Sequence, residues 1–405
     1  MKLIVDLLYV GIDIGKFHHE ACLLTPDGQV RQRLRIANTR NDFDRLWETV
    51  ADQSVDTVVW GMEATGHYWL ALYAALTRRG ATVKVINPLQ SDSLRKLYIR
   101  VTKTDPKDSF IVADLLRIGR YTETVVPPET TLALRDLSRL RVEFVESLGT
   151  LKRQAHAVMD RIFPEWTRLW VSKPWGTTAR AVLTAYPTPQ QLAQSDSEGL
   201  TALLVSHSRG RLGREFAETL KQTAEQSFGV TYGLDAATLS VRLLMDQMTF
   251  LESQIHDLDR HLESLMESHA LILSIPGIGP TLGATILGEI GDIHRFTKSK
   301  KLKAYAGLDA SVHKSGEFEG TQTRLSKRGS PYLRRAVWLA AFMARQRDPG
   351  FQAYYEAKRA RGKHPNQALG AVAGKLCQVI WAVLTHDRPY DPTQILPAPG
   401  PATAD

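Results

Sequence analysis

The sequence is poor in cysteine, with only Cys22 and Cys377 among its 405 residues. Two cysteines cannot form a disulfide framework or supply the ligands of a cysteine-based zinc site. The sequence also lacks an apolar run that approaches the roughly 20 residues needed to span a bilayer. Residues 1–10 are apolar but lack the small-residue cleavage pattern of a signal peptide. These absences predict a cytoplasmic protein in a reducing compartment, without a membrane partner.

Acidic residues are scarce in one part of the chain. The whole sequence carries 51 Lys and Arg against 43 Asp and Glu, which gives a net charge of +8. Residues 294–363 alone contain 17 basic and 5 acidic residues, so the remainder is slightly acidic. Aromatic residues that could stack or pack beside phosphate contacts are interleaved with these charges: Tyr305, Phe318, Tyr332 and Trp338. This pattern predicts a polyanion-binding face in the C-terminal third.

The N-terminal third alternates between short apolar runs and amphipathic stretches. The runs predict strands at Tyr9–Gly15, Glu20–Pro26, Val30–Ala37, Asp56–Met62 and Thr82–Asn87, with helices at Asn41–Asp52 and His67–Arg79. A further helix begins near Asp105, so the order is β-β-β-α-β-α-β-α. That order predicts a mixed sheet flanked by helices, as in the ribonuclease H-like fold.

Four carboxylates fall where that fold brings side chains together. Asp13 lies in the first strand, Glu63 ends the fourth strand, and Asp105 and Asp108 lie in the stretch Lys103–Asp108. Residues three apart share one helix face, so the two aspartates can point at one place. Four acids can hold two hard divalent ions at a phosphodiester. The alternative is an acidic first turn that complements the helix dipole.

The middle of the chain contains two heptad-like apolar stripes. One begins at Leu134 and is interrupted by Arg141, and the other runs from Leu244 to Leu265. The two helices could pair antiparallel within the chain or bind a partner chain. Between them, residues from about 164 to 235 predict short helices. The loop Ser206–Arg214 could bind nucleic acid or be solvated.

Two motifs stand out in the C-terminal third. Pro276–Gly279 predicts a tight turn of a helix-hairpin-helix, whose glycine amides and helix N-terminus could meet a phosphate. The alternative is a glycine turn required only for close helix packing. Ser315 precedes a glycine in a basic loop, and by local chemistry alone it would be a turn residue, because a serine hydroxyl is a weak nucleophile without activation.

Taken together, these motifs resemble a known family. The stretches GIDIGK (11–16), MEATGHY (62–68), VINP (85–88), KTDPKD (103–108), IPGIGP (275–280), AYAGL (304–308), KSG (314–316), LSKRG (325–329) and LRRA (333–336) occur in the family's order. The chain thus resembles the DEDD transposases of the IS one-ten insertion-sequence family, relatives of the Piv and MooV invertases. Ser109 stands where the family usually has alanine.

The resemblance implies an architecture and a mechanism. It implies a RuvC-like domain of the ribonuclease H fold (residues 1–125), coiled-coil helices (126–268) and a mainly helical C-terminal transposase domain (269–388). The resemblance covers neither the helical insertion at about 164–235 nor the proline-rich tail (389–405), which the sequence pattern alone predicts to be disordered. It also implies recombination of double-stranded donor and target DNA, guided by a structured non-coding bridge RNA. The protein would be cytoplasmic, at the nucleoid.

The resemblance further assigns roles to residues of this sequence. Asp13, Glu63, Asp105 and Asp108 would bind magnesium, with two ions expected and manganese able to replace it. Ser315 would be the nucleophile that forms a covalent phosphoserine link. The active form would be a dimer or tetramer with a composite site. The residues expected to contact nucleic acid are Lys103, Gly277, Gly279, Lys314, Arg324, Lys327, Arg328, Arg334 and Arg335.

Two other functions fit the same residues. A structure-specific endonuclease of the Holliday-junction resolvase type would use the four acids with water as the nucleophile. A non-catalytic scaffold would use the acids only structurally. A covalent protein–DNA adduct separates recombinase from resolvase, and divalent-ion binding separates both from the scaffold.

Overall fold

The computed structural model describes residues 6–64, 66–86, 105–121, 126–171, 173–309, 314–315, 318–319 and 325–395. The chain forms two compact units, residues 1–127 and 128–405. The first unit ends close to the boundary expected at residue 125. The second unit includes both the long middle helices and the C-terminal third, so a separate boundary near residue 268 stays a prediction.

The first unit is built on a five-stranded mixed sheet. Its strands are β1 (Leu7–Ile14), β2 (His18–Leu24), β3 (Val30–Ala37), β4 (Thr57–Glu63) and β5 (Thr82–Ile86), in the order β3-β2-β1-β4-β5. Strands β1, β2 and β3 are antiparallel neighbours, whereas β4 and β5 are parallel to β1. Its described helices are α1 (Arg40–Ala51), α2 (Trp69–Arg78) and α3 (Asp105–Ile118). The predicted mixed sheet is confirmed, and each strand lies within three residues of its predicted ends.

The two faces of the sheet pack against different helices. Because successive strand residues point to opposite faces, the even-numbered residues of β1, such as Val10 and Ile12, share a core with α1 and α2. The odd-numbered residue Tyr9 packs instead on the core formed by α3. Helix α3 therefore covers the face of the sheet to which the odd-numbered residues of the central strands point.

Two glycines let α3 lie unusually close to that face. A Cβ atom added at Gly11 would lie 2.2 Å from the Ala113 amide nitrogen and 2.4 Å from the Ser109 carbonyl oxygen. A Cβ atom added at Gly61 would lie 2.5 Å from the Leu116 side chain. Only a residue without a side chain permits this separation.

A long helical hairpin opens the second unit. It consists of α4 (Glu129–Ile162) and α10 (Leu234–Met266). The start of α4 shares a core with the end of α10, through Leu134 and Leu262, so the helices are antiparallel. The pairing within the chain that the stripes allowed is therefore confirmed. Arg141, which interrupts the first stripe, forms an ion pair with Asp259 of α10, with Nη2 3.1 Å from Oδ2.

The residues between these helices form a small helical insertion. Its helices are α5 (Trp166–Leu169), α6 (Thr177–Ala185), α7 (Pro189–Ala193), α8 (Ser197–Ser208) and α9 (Arg214–Glu225). They enclose a core of their own against the distal halves of α4 and α10, centred on Trp166. The insertion is thus a packed part of the second unit.

The C-terminal third is mainly helical. Its helices are α11 (Ala270–Leu273), α12 (Pro280–Ile290), a 3-10 turn (Ile293–Arg295), α13 (Ser299–Tyr305), α14 (Pro331–Arg347), α15 (Pro349–Ala360), α16 (Pro365–His386) and α17 (Pro392–Ile395), with the short strands β6 (Lys314–Ser315) and β7 (Phe318–Glu319). The first helix of the expected helix-hairpin-helix is the single turn α11.

Two expectations for the C-terminal end need correction. By length and composition, α16 could cross a membrane, although the sequence seemed to lack such a run. Its apolar residues are explained by packing, because Val372, Leu376 and Ile380 are fully buried in the C-terminal core. The tail expected to be disordered from residue 389 is packed at Tyr390, whose hydroxyl donates to Asp348 Oδ2 at 3.0 Å. Residues 396–405 lie outside the described part.

Candidate functional site

Asp13 and Glu63 lie side by side at one edge of the sheet. The parallel register of β1 and β4 pairs Gly11 with Gly61 and Ile12 with Met62. Asp13 and Glu63 are the next residues of the two strands, and neighbouring strands are about 4.8 Å apart. Asp13 follows Gly11 by two residues and Glu63 follows Gly61 by two residues, so both acids point to the same face as the glycines, which is the face that α3 covers. Each is half-buried.

Helix α3 runs so that its N-terminal turn lies at the same edge. Near its C-terminal end, Arg117 lies over Gly28 in the β2–β3 turn, with 3.7 Å from the guanidinium carbon to a Cβ atom built there. That turn is at the end of the sheet where β1 begins, since Tyr9 pairs with Leu24. The first turn of α3 therefore lies toward the end of β1. Asp108 is in this turn, and its side chain is only 4% exposed.

Asp13 and Glu63 therefore lie at the edge of the sheet toward which the first turn of α3, with Asp108, is directed. Asp105 is the first residue of α3, and its side chain lies outside the described part. Among the described residues, no three carboxylate, histidine or cysteine side chains are close enough to form a metal cluster. The donor set of half-buried and buried carboxylates is nonetheless the one that Mg²⁺ prefers.

A fifth carboxylate lies beside Asp13. Glu20 of β2 is the direct cross-strand partner of Asp13, and such pairs share one face of a sheet. Glu20 is not among the predicted ligands, and it forms an ion pair with Arg35, with 3.5 Å between Oε1 and Nε. This residue offers a matched control for the metal site.

Lys314 and Ser315 form β6, which pairs antiparallel with β7. Ser315 is opposite Phe318, and Lys314 is opposite Glu319. Only the backbone of these residues is described. Ser315 is thus the last residue of β6. The acids belong to the first unit and Ser315 to the second.

The basic loop Leu325–Gly329 is fastened to the turn that follows α13. Ser326 donates its amide to the Asp309 carbonyl oxygen at 2.9 Å, and Lys327 donates its amide to Gly307 at 3.2 Å. Lys327 has a left-handed backbone, with φ of 53°. The AYAGL and LSKRG motifs therefore form one structural element, and Lys327 and Arg328 are exposed on it.

The other predicted nucleic-acid contacts differ in what they contact within the chain. Arg334 donates from Nη1 to the Lys327 carbonyl oxygen at 3.1 Å, so it braces the basic loop. Arg335 forms an exposed ion pair with Glu146 at 3.0 Å. Lys103 and Arg324 lie outside the described residues.

The two glycines of the predicted phosphate-binding turn also differ. Gly277 is buried, and a Cβ atom there would lie 2.5 Å from the Ala344 amide nitrogen of α14. This contact favours the packing interpretation for Gly277. Gly279 is exposed, forms the N-cap of α12, and has open space around it. A phosphate contact at Gly279 stays a prediction.

The aromatic residues of the basic segment mostly pack within the chain. Tyr305 and Trp338 are half-buried against the C-terminal core. The Tyr332 ring lies under the guanidinium of Arg139, with 4.8 Å from Cζ to the ring centroid. The rings of Tyr305, Trp338 and Tyr332 therefore pack against other parts of the chain.

A buried ion pair that the motifs did not indicate supports the basic segment. Glu289 of α12 is fully buried and accepts hydrogen bonds from Arg139 Nε at 2.6 Å and from the Ser330 hydroxyl at 2.7 Å. The Glu289 contact raises the pKa of Arg139. Ser330 also caps α14 by accepting from the Leu333 amide at 3.1 Å. A charged residue within the apolar stretch TLGATILGEI was the available signal for this network.

Comparison with known proteins places these features in a family. Residues 10–164 match a family model described as "Transposase", and residues 269–356 match one described as "Transposase IS116/IS110/IS902 family". The two matches include every predicted ligand of the metal site and Ser315.

Several proteins are similar over almost their full length. An uncharacterized 44.8 kDa protein of insertion element IS116 from Streptomyces clavuligerus is 29% identical, over 96% of this chain and 97% of that protein. The pilin gene-inverting protein of Moraxella lacunata is 27% identical, over 95% and 97%. The transposase for insertion sequence element IS1111A from Coxiella burnetii is 24% identical, over 95% and 92%. The chain belongs to the IS110 (IS one-ten) family of transposases, enzymes that cut and rejoin DNA.

Proposed function

We propose that this transposase cuts and rejoins double-stranded DNA with a metal-bound acidic tetrad and a serine nucleophile. The observation that carries the metal site is the placement of Asp13 and Glu63 on neighbouring parallel strands, facing the helix that begins with Asp105 and Asp108. These four residues would hold two Mg²⁺ ions, for which four carboxylates supply enough ligands, and Mn²⁺ could replace Mg²⁺. When bound, the metal supplies stabilisation of charge on the phosphate oxygens.

Ser315 acts on the phosphodiester in this proposal. Its oxygen forms a bond to phosphorus while the bond from phosphorus to the deoxyribose oxygen breaks, and that oxygen takes the proton. The strand is then held as a phosphoserine ester. The free hydroxyl of another strand then bonds to the same phosphorus while the bond from phosphorus to the serine oxygen breaks and that oxygen takes the proton. This step joins the new strand and releases Ser315. Support for this assignment comes from the KSG motif and from the basic residues around it.

The chemistry is tested by trapping the covalent adduct on labelled DNA carrying the element's ends. We expect the wild type to give a labelled protein band and Ser315→Ala to give none, while both still bind DNA. Cleavage by Ser315→Ala at the wild-type rate, without an adduct, would favour the resolvase-type reaction with water.

The metal site is tested by neutralising single carboxylates. Glu63→Gln and Asp108→Asn are expected to lose Mg²⁺-dependent cleavage by at least about 100-fold, since the ligands act as a unit. Glu20→Gln is the matched control, because Glu20 lies on the same face beside Asp13 but is neutralised by Arg35. Equal loss in Glu20→Gln would show that any charge change at this edge of the sheet disrupts activity.

We also propose that the active form is an oligomer with a composite site. The acids and the serine belong to different units of the chain, so the site could combine the two units of one subunit or of two. Mixing Asp108→Asn subunits with Ser315→Ala subunits tests this. Recovered activity would place the acids and the serine on different subunits, and inactivity of stable mixed oligomers would place them on one.

Guidance by a structured RNA is the remaining part of the proposal. Its support is the family and the basic segment of residues 294–363, whose described Lys327 and Arg328 are exposed. Purifying the transposase from cells that carry the whole element should recover one discrete RNA transcribed beside the gene. Site-directed strand exchange by RNA-free protein would exclude guidance.

A further inference from the structure

The helical insertion at residues 164–235 contains a cleft that none of the predicted site residues lines. Its volume is about 620 Å³. It is formed between the start of α6, the loop that follows α8, and the middle of α10. The residues used below are Trp170, Lys173, Arg180, Arg209, Arg211 and Glu252, all of which line it. Four of these side chains are cationic and one is anionic.

The loop that supplies two of the arginines is held firmly in place. Thr178, in the first turn of α6, donates its hydroxyl to the His207 carbonyl oxygen at 2.9 Å. The Leu212 amide donates to the Ser208 hydroxyl at 2.9 Å. Arg209 has a left-handed backbone with φ of 56° and caps α8. The loop is therefore fixed in position at the cleft, although its side chains Arg209 and Arg211 are exposed to solvent.

The N-terminus of α6 opens into the cleft. This nine-residue helix has Gly176 as its N-cap, and no side chain caps it. Thr177, Thr178 and Ala179 line the cleft, and the first amides of a helix have no carbonyl partner within it. Such a terminus favours a negatively charged oxygen.

Two buried side chains give independent evidence for a ligand. Arg180 is 8% exposed and Trp170 is 9% exposed. Arg180 forms an ion pair with Glu252 and donates from Nη1 to Thr249 at 3.2 Å, but its Nε–H has no partner in the described structure. The indole N–H of Trp170 also has none there. Buried donors of this kind usually have an acceptor, so the wall of the cleft contains two N–H groups that the described residues leave unsatisfied.

We propose that this cleft binds the phosphodiester backbone of a nucleic-acid strand. One phosphate would lie at the start of α6, near Arg180, and the exposed side chains of Lys173, Arg209 and Arg211 would contact neighbouring phosphates. The volume exceeds that of a single phosphate ion, and the cations extend to the rim, which suits a chain of phosphates. The insertion is thus a third nucleic-acid contact, separate from the acidic edge and the basic C-terminal loop.

The test measures binding to full-length protein in EDTA, so it does not depend on catalysis or on the proposed tetrad and serine. The probes are a labelled DNA duplex and a labelled RNA hairpin of arbitrary sequence, each titrated at several salt concentrations. The test variants are Arg211→Ala and Lys173→Ala. Arg214→Ala is the matched control, because Arg214 directly follows the loop as the first residue of α9, does not line the cleft and pairs with Glu218.

We expect each test variant to bind at least one probe about eightfold more weakly at 0.1 M salt, since one lost phosphate contact lowers the salt slope by about 0.9 for duplex DNA. Arg211→Lys should restore most of the binding. An effect on one probe alone identifies DNA or RNA as the occupant. Wild-type slopes for both probes in Arg211→Ala and Lys173→Ala, or an equal loss in Arg214→Ala, would overturn the proposal. Unchanged melting curves would confirm that these exposed substitutions leave the fold intact.

Discussion

Replacing Gly11 by alanine tests how closely helix α3 must approach the sheet. The new methyl group would lie 2.2 Å from the Ala113 nitrogen and 2.4 Å from the Ser109 oxygen. Carbon atoms in ordinary contact are about 3.5–4 Å from their neighbours. Both contacted atoms belong to the helix backbone and cannot rotate away. Helix α3 must therefore move outward by about 1 Å, or β1 must bend.

The expected cost has a structural and a functional part. Overpacking a core costs about 1–3 kcal/mol, and a clash with backbone belongs at the upper end of that range. The movement would also loosen Val112 and Leu116, which are buried between α3 and the sheet. For activity, a displacement of about 1 Å between Asp108 and Asp13 is expected to reduce cleavage by about 100-fold.

Two other alanine substitutions calibrate this result. Gly61→Ala meets the Leu116 side chain, with Cδ1 at 2.5 Å and Cγ at 2.9 Å, but no helix backbone atom is among its nearest contacts, so the cost should be smaller than for Gly11→Ala. Gly149 lies inside α4, and the nearest atom to its added Cβ is an Arg153 nitrogen at 3.7 Å. Gly149→Ala should stabilise the protein by about 0.5–1 kcal/mol, because glycine is costly inside a helix.

The measurements are urea unfolding, hydrogen exchange of residues 105–118, and metal-dependent cleavage. Gly11→Ala should lower the unfolding midpoint, speed hydrogen exchange in α3 and reduce cleavage. Each of these effects should be larger in Gly11→Ala than in Gly61→Ala. If Gly11→Ala keeps wild-type stability and cleavage, then close contact between α3 and β1 is not what positions the acids, and the proposed metal site loses its structural basis.

Three further predictions concern buried groups. Arg139→Met should destabilise the protein by about 3–5 kcal/mol, because it leaves the fully buried Glu289 carboxylate without its cationic partner. Glu289→Gln should cost less, and the urea unfolding midpoints of the two variants test the difference. Burial lowers the pKa of His19 more than Asn38 raises it. As the pH falls below about 6.5, the His19 imidazole binds a proton in the unfolded chain before it does so in the folded protein. The free energy of unfolding therefore decreases, and His19→Gln should reduce the slope of this free energy against pH by up to about 1.4 kcal/mol per pH unit. Burial raises the pKa of Cys22, and that of Cys377 to about 12, so a thiol reagent should label neither until the protein unfolds.

Local patterns were sufficient to predict the first unit. The strands around Asp13 and Glu63 are short apolar runs bounded by turn residues, and their alternation fixes which side chains share a face. Proline at position 106 suits a helix start, and the helix does begin at Asp105. The strand order and the alternation of side chains along each strand are enough to predict that Asp13 and Glu63 lie at one edge of the sheet.

Contacts between distant residues could not be predicted in the same way. Arg139 and Glu289 are 150 positions apart, and nothing near either one specifies the other. The helix Pro365–His386 is apolar because the C-terminal core surrounds it, whereas composition alone cannot separate a core helix from a membrane span. The cleft of the insertion combines three separate segments, so the arginines of its loop had no visible partner in the sequence.

The spacing of glycine and acid in the two central strands links packing to chemistry. Gly11 precedes Asp13 by two residues, and Gly61 precedes Glu63 by two residues. In a strand, residues two apart point to the same face, so each glycine allows α3 to approach the surface from which the acid projects. A larger residue at either glycine would move the helix away from that surface, and with it Asp108. The glycines would thus set the distance between acids on the sheet and acids on the helix, which would make them positioning residues for the proposed metal site.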